Sequence, residues 1–439
     1  MKIKKTKWNP AGKNNPVVTR FLSRPAFSDT AEEVAKGVLA DVAEQGDQAV
    51  CSYAAKFDKV RLRPQDVRVP DRMLQDAHKN VDAAFRRAAR EAYRRVTAFA
   101  KAGKKHDWSI RTDHGGRLGE KFVPYDRVGV YIPAGAAPLA SSALMTASLA
   151  VAAGVPEIVA CTPCDANGDV NPYVLHALQV AGATEIYRVG GIHAIGMMAY
   201  GTKRVKKVQK IVGPGGAYVT AAKRQVYGHV ALDLVAGPSE IAVLADESAD
   251  PMHVAMDLLS QAEHGTGDEK ALLVTPDKVL IPAVEKALQE AMRILPRRSL
   301  IEKVASRDGI LLVEVPDLDA GIALCNEFAP EHLELMVRQP RRALKGIRCA
   351  GAVFMGRWTP ESAGDFVAGP SHVLPTGGAA QMFSGLTVDD FMRRTSTVAF
   401  TRKDLQDSLH VIEAFGRVEG LDAHAWAGKI RFGSLPQQD

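Results

Sequence analysis

The sequence predicts an α/β protein made of two Rossmann-like, incomplete parallel-sheet domains, with an N-terminal arm and a helical C-terminal tail. From Arg127 onward, short β-rich runs alternate with helical segments every roughly 25–30 residues, the pattern of βαβ units. Each run ends in a turn marked by Gly or Pro. The composition, 46% hydrophobic and 24% charged over 439 residues, is that of a soluble chain long enough for more than one core.

The same figures exclude extended disorder, collagen-like and coiled-coil architectures. The longest apolar stretch, Ala143 to Gly154, is interrupted by Thr146 and Ser148 and is too short to span a bilayer. The basic N-terminus, MKIKKTKW, is followed by no apolar segment or cleavage site of a secretory signal. A cytoplasmic protein without a membrane partner is the expectation. A net charge of +6 from 56 basic and 50 acidic residues is too mild for a nucleic-acid footprint. The densest basic run, Lys203, Arg204, Lys206, Lys207 and Lys210, lacks interleaved aromatics and reads as solvated surface, with attraction of an anionic cofactor as the second reading. Five cysteines make no disulfide framework. Cys161-Thr162-Pro163-Cys164 spells C-x-x-C without a second pair, so Cys161 reads as the buried end of a strand.

Residues 1–25 are polar and basic, with breakers at Asn9-Pro10, Gly12 and Asn15-Pro16, and read as an arm. From Ser28 to Lys105 the pattern is helical, with caps offered at Asp29 and Thr30 and a stop at Gly46. The first βα series has strands at 128–132, 157–161, 185–189 and 210–212, with an Ala-rich helix at 141–153 that suits close packing on a sheet. A second series has strands at 240–245, 271–275 and 309–315 and a helix through Asp257 to Glu263. The predicted layout is an arm over 1–25, a first domain of 26–127 with 238–385, a second domain over 128–237, and a helical tail over 386–439.

Parallel sheets bind ligands beyond the carboxyl ends of their strands. Pro133-Ala134-Gly135, Gly190-Gly191, Gly213-Pro214-Gly215-Gly216 and Gly237-Pro238-Ser239 occupy such places. None is a G-x-G-x-x-G fingerprint; together they suit close approach of a dinucleotide pyrophosphate, and singly each glycine serves equally to make its turn.

Three polar segments carry most of the chemistry. Gln261 and His264, three residues apart at the end of an apolar helix, share a face and can reach one ion; a C-terminal His favouring the helix dipole is the other reading. Glu331 and His332 follow Pro330 and enter an apolar strand, a carboxylate and an imidazole able to divide base and acid work, or else a surface pair. Residues 359–378 are neither periodic nor strongly polar, which marks a functional loop, with Asp365 and His372 as candidate ligands. The tail adds Glu419 and His424. Gln261, His264, Asp365 and His424 make a nitrogen–oxygen set suited to zinc, although spacing alone does not bring them together. No H-E-x-x-H and no G-x-S-x-G occurs.

These segments resemble the histidinol dehydrogenase family. The matching blocks, in family order from Arg24 to Arg431, include RVGVYIPAGAAPLASSALM, KIVGPG, AGPSE, LLSQAEHG, APEHLEL, TPESAGDF, GPSHVLPTGG and EGLDAHA. The resemblance implies a zinc-dependent, NAD-linked enzyme that oxidises L-histidinol to L-histidine through L-histidinaldehyde, using two NAD per product. It implies zinc ligands Gln261, His264, Asp365 and His424, with one zinc per subunit holding the substrate. It makes His332 the proton acceptor and Glu331 the activator of water, and gives substrate contacts at Ser239, His372 and Glu419, with Glu361 in the same loop. Tyr131, His193 and Gly216 fall at cofactor-contact positions. The family usually carries Gln in place of His193 and Asn in place of Gly216, and the segment after His264 is one residue longer here. Homodimers whose tail crosses to the partner are implied too, Glu419 and His424 then completing the other subunit's site. A related zinc and NAD dehydrogenase acting on another polar alcohol, such as a sulfonated diol, is the alternative within enzymes. A zinc hydrolase using Glu331 without NAD and a non-catalytic binding protein are the alternatives outside that class.

Overall fold

A computed structural model describes residues 3–12, 15–24, 27–134, 138–234 and 237–433. They form two units, 1–103 with 125–391 and 104–124 with 392–439.

The first unit holds two parallel sheets. One has the spatial order Glu185–Tyr187, Glu157–Cys161, Arg127–Tyr131, Lys210–Val212, Ala231–Leu232. In chain order that is third, second, first, fourth, fifth, the Rossmann arrangement, whose switch point lies between Arg127–Tyr131 and Lys210–Val212. Arg127–Tyr131 is buried along its whole length, as a strand covered on both faces must be. Arg127, at its amino end, donates to Glu157 at 2.7 Å and to Glu185 at 2.6 and 2.9 Å, tying the first three strands together. The helix Ala140–Ala153 is buried almost all round, which its small side chains permit.

The second sheet runs Lys4–Lys7, Ile310–Glu314, Lys270–Thr275, Glu240–Ala245, His332–Met336, Ala352–Met355. Without its first strand it repeats the order of the other sheet. The lysine-rich N-terminal segment is therefore an edge strand and not an arm. It pairs in parallel with Ile310–Glu314, and the helix Pro16–Leu22, capped by Asn15, buries Val18 and Phe21. Lysines suit an edge, where they discourage further pairing, and Lys7 reaches Glu314 at 3.1 Å.

The helices of 26–127 join the sheet of 127–232 and not the other one. Asp29–Gln45, whose cap is Ser28, packs Ala31, Ala35, Val38, Leu39 and Val42 into the same core as Ile192, Ile195 and Val219. Gly196 allows this approach, since a Cβ there would sit 3.1 Å from Leu39 and Val42. Ala83–Gly103 packs on Ala140–Ala153. Helical periodicity reveals a buried face but not which sheet receives it.

The second unit is an antiparallel sheet of Trp108–Arg111, Arg117–Pro124 and Met392–Ala399, followed by the helices Arg402–Glu419 and Asp422–Lys429. The tail thus opens with a strand, and Leu386, Val388 and Phe391 are buried in the first unit. These strands went unread because most of their residues are exposed and no apolar alternation marks them. In the basic run, Lys210 is buried and lies 3.2 Å from Asp390, while Lys203, Arg204, Lys206 and Lys207 are exposed as expected. Cys161 ends its strand, buried, and burial pushes the Cys164 thiol up to about 11, so neither is a ready thiolate. No helix among the described residues is long and apolar enough to cross a membrane.

The Arg127 hydrogen bonds hold Glu185 at about 2, below its ordinary 4.5, against the opposing effect of burial. A depressed carboxylate stabilises the fold above its unfolded pKa and loses that contribution as pH falls toward the folded one. Glu185→Gln should cost about 2 kcal/mol at pH 7 and flatten the fall in Tm between pH 5 and 2. Thermal melts across that range check it; parallel curves for the two proteins would show that the network adds nothing.

Candidate functional site

The rule that sends ligands to carboxyl ends suits the first sheet, but the second sheet gathers its chemistry at the amino ends of its strands. Ser239-Glu240, Glu331-His332 and Gly351-Ala352 lie side by side there, through the pairings His332 to Ile241 and His332 to Ala352. The helix Pro251–Ala262 runs back over the sheet and brings Gln261 and His264 to the same end.

His332 is 3% exposed. Its Nδ1 lies 2.9 Å from Gln261 Oε1 and 3.2 Å from the Glu240 carbonyl, two acceptors that assign the proton to Nδ1. Nε2 is left buried without a hydrogen-bond partner, 3.8 Å from Asp365 Oδ1 and 4.0 Å from Glu361 Oε1. Burial lowers the imidazole to about 4, so the ring is neutral near pH 7 with a free lone pair on Nε2. Glu331 accepts from the Glu240 N–H at 3.0 Å, and its other carboxyl neighbours reinforce burial in pushing it well above the usual carboxylate range.

The loop expected over 359–378 contains a short helix, Glu361–Phe366. Burial and the charge of Asp365 push Glu361 up to about 9, while Ser260 donates to its Oε2 at 3.0 Å. For Asp365, burial is outweighed by the hydrogen bond and charge of His372 and by His332, so it stays ionised well below the usual range. His372 Nδ1 is 3.6 Å from Asp365 Oδ1, and its Nε2 is 3.2 Å from Ser142 Oγ. Ser371 Oγ donates to the Met145 carbonyl at 2.9 Å. Through these bonds the loop carries the site onto the helix Ala140–Ala153 of the other sheet.

Of the expected metal ligands, Gln261, His264 and Asp365 belong to the first unit. Gln261 is wholly buried; His264 lies just past the helix end, exposed, with Nδ1 3.1 Å from Gln261 Nε2 and 3.0 Å from its carbonyl. His424 and Glu419 belong to the second unit, both exposed. Among the described residues, the His, Cys, Asp and Glu donor atoms that gather within 4.8 Å of one another are those of His332, Glu361 and Asp365. Ser239 is half-buried beside Glu240 and accepts from the Lys270 N–H.

On the first sheet, Tyr131 is buried and its hydroxyl accepts from Gly191 N–H at 2.9 Å, at the start of the helix Gly191–Tyr200. Gly213, at φ 115°, passes so close to Tyr131 that a Cβ would meet its carbonyl at 2.3 Å. The buried Lys223–Asp233 pair fixes that turn, Lys223 donating to the Gly213 carbonyl and Asp233 accepting from its N–H. Gly216 caps the helix Ala217–Val226 and is open, with nothing within 4 Å of a Cβ built there. His193 departs from expectation: its side chain is wholly buried, 3.2 Å from Asp58 and beside Tyr53 and Phe57, and offers no surface to a cofactor. Gly135 lies outside the described residues.

Sequence reading missed Arg24, Ser142, Glu240, Asp257 and Glu334. A carboxylate inside the apolar strands EIAVLA and HLELM was the available signal for two of them. Glu334 accepts from the Glu361 N–H at 2.7 Å and shares a hydrogen bond with Asp257, whose pKa burial raises to about 6. Burial raises both carboxyls, and the charge of Asp257 pushes Glu334 further, well above the usual carboxylate range.

Residues 23–432 match the family model described as histidinol dehydrogenase. The chain belongs to the histidinol dehydrogenase family. It is 42% identical over 409 residues to a histidinol dehydrogenase of Bacillus thuringiensis subsp. konkukian (strain 97-27), covering 93% of this chain and 94% of that one. Against a histidinol dehydrogenase of Gluconobacter oxydans (strain 621H) the identity is 41% over 429 residues, or 98% and 99% of the two chains. It is similar to the crystal structure of histidinol dehydrogenase from Elizabethkingia anophelis at a TM-score of 0.92 and 34% identity, with 98% of each chain covered. Membership in the histidinol dehydrogenase family makes this chain an oxidoreductase.

Glu334→Leu should cost about 2–4 kcal/mol, because it strands the Glu361 N–H and the Asp257 carboxyl, whereas Glu334→Gln should cost under about 1 kcal/mol. Urea unfolding measures both; equal losses would remove the hydrogen-bond explanation.

Proposed function

We propose that this chain oxidises L-histidinol to L-histidine through L-histidinaldehyde, with Glu331 and His332 dividing the proton work. The observation that carries this reading is the adjacent buried pair, both members held by the backbone of one residue, Glu240, with His332 Nε2 left free.

The residues fit a zinc ion. Gln261, His264 and Asp365 offer nitrogen and oxygen donors without thiolate, and the unpartnered Glu361 Oε1 and His332 Nε2 mark a buried polar space beside them. His424 of a partner subunit would be the fourth ligand. NAD fits the first sheet's carboxyl ends, where the open helix N-terminus at Gly216 offers backbone amides for phosphate, beside the Gly213 turn and Tyr131. When bound, zinc supplies a Lewis-acidic anchor for the substrate's amino and imidazole nitrogens, and NAD supplies the hydride acceptor.

His332 takes the hydroxyl proton at Nε2 as hydride leaves the carbinol carbon. Glu331 takes a proton from the water that adds to the aldehyde, and its raised proton affinity makes it a strong acceptor once ionised. With its first proton released to solvent, His332 takes a hydroxyl proton of the resulting hydrate as the second hydride leaves, and the carboxylic acid formed ionises to the carboxylate. Ser239, His372, Glu361 and, from a partner, Glu419 orient the substrate. A homodimer is supported by the second unit's exposed apolar side chains, among them Phe400, Phe415, Val418 and Leu421. A cytoplasmic location completes the reading.

With limiting L-histidinol and excess NAD at mildly alkaline pH, zinc-loaded protein should give two NADH per histidinol, and chelation should abolish them. Stoichiometric NADH unaffected by chelation would overturn the zinc assignment, and no NADH from folded, zinc-loaded dimer would overturn the substrate. Glu331→Gln should slow aldehyde oxidation by about 10²–10⁴-fold while the first NADH still forms. Hybrid dimers of His332→Ala and His424→Ala chains should regain activity, since half of their sites are intact; hybrids as inactive as their parents would rule out a shared site.

A further inference from the structure

Glu240 meets the acid–base pair with both of its backbone groups. Its N–H donates to Glu331 Oε2 at 3.0 Å, and its carbonyl lies 3.2 Å from His332 Nδ1. Its buried side chain is ion-paired with Arg24 Nη1. Arg24 Nη2 donates to the Phe328 carbonyl at 2.6 Å, and the guanidinium lies over the Phe328 ring, 4.5 Å from its centroid. Phe328 ends the helix Leu318–Phe328; Ala329 then turns out in the left-handed region at φ 46°, and Pro330 leads directly into Glu331 and His332. One guanidinium therefore spans the segment that orients the pair and the segment that presents it. The loop over 359–378 closes on the same point. Gly377 and Gly378 turn their amides toward the Glu240 carboxylate, and a Cβ at Gly378 would press on Arg24 Nη2 at 2.9 Å.

We propose that Arg24 and Glu240 are positioning residues for the reaction: their buried ion pair fixes the Glu240 peptide against the Phe328 helix end, and so sets Glu331 and His332 at their working positions. The proposal rests on the roles given above to Glu331 and His332. A buried carboxylate stripped of its guanidinium partner must move or take up a proton, and either change shifts the start of the strand Glu240–Ala245. Displacement of reacting groups by about 1 Å costs on the order of 10²-fold in rate. Arg24 sits far along the chain from the pair, in a segment without catalytic side chains, and reaches the pair only through Glu240 and the Phe328 helix end.

Kinetics of the zinc-loaded dimer test this, with Arg24→Met, Arg24→Lys and Glu240→Gln compared with the wild type. Arg24→Met should lower kcat about 10- to 100-fold while the KM values for histidinol and NAD change by less than about 3-fold. Zinc content should stay close to wild type, and Tm should fall while the protein remains folded at the assay temperature, since a buried charge loses its partner. Arg24→Lys should recover only part of kcat, since one ammonium on a flexible stem does not reproduce the two-pronged contact. In a His332→Asn background, Arg24→Met should add less loss than in the wild type, because one of the two groups it positions is gone. If Arg24→Met does not fold, Glu240→Gln carries the same test, keeping the size and hydrogen bonding of the side chain without its charge. A kcat within about 2-fold of wild type, a loss matched by lost zinc or lost folded protein, or an undiminished loss in the His332→Asn background would overturn the proposal. Glu331→Gln and His332→Asn locate the failure. If they leave the rate untouched, the roles of the pair fall and positioning falls with them; if they are slow while Arg24→Met is not, positioning alone is wrong.

Discussion

Burial of carboxyl groups is the constraint on which the site depends. Glu240, Asp257, Glu331, Glu334, Glu361 and Asp365 converge on the amino end of one sheet, largely out of water. Each ionised carboxylate there needs compensation, since an unpaired buried charge is costly. The compensation differs from group to group. Glu240 takes a guanidinium, Asp365 a histidine, and Glu331 and Glu334 backbone N–H groups, while Asp257 beside Glu334 is pushed up by burial. Those differences push the proton affinities apart: Asp365 stays ionised, while Glu331 and Glu361 hold protons more tightly. A cation would complete the compensation where Glu361 Oε1 and His332 Nε2 remain unpartnered.

The two sheets share a strand order but are used at opposite ends. In the first, glycine turns lie at the carboxyl ends, beside the switch point, in the manner of dinucleotide folds. In the second, Glu331 and His332 stand where their strand begins, supported by the helix Pro251–Ala262 returning antiparallel to it. The loop over 359–378 reconciles the two. Asp365 faces His332, while His372 and Ser371 reach Ser142 and Met145 on the helix that follows the first sheet's first strand. The buried Glu331–His332 pair of one sheet is tied to the helix Ala140–Ala153 of the other because this loop packs against both.

Local chemistry was legible along the chain. The strands at 157–161, 210–212 and 240–245 fall where apolar β-branched runs predict them, because pattern and turn residues are local signals. Gln261, His264, Glu331, His332, Asp365 and His372 stood out as polar groups in apolar or turn-rich surroundings, and the structure brings them to one end of one sheet. Less visible was anything whose partner is remote. Arg24 reads as part of a polar, basic arm until Glu240 is beside it. Met392–Ala399 carries no apolar alternation, and its partner, Arg117–Pro124, lies far back in the sequence. His193 stood at a position suggestive of a cofactor contact, yet helix packing turned it inward toward Asp58.

The sequence by itself determined the fold class, the family and the residue types of the site, since strand periodicity, glycine turns and short polar motifs are written in consecutive positions. Tertiary structure decided which helices cover which sheet, which of the sheet's two ends holds the chemistry, and which buried groups keep their protons. Those outcomes depend on distances between residues hundreds of positions apart, and on how far each is removed from water. Neither quantity exists until the chain has packed.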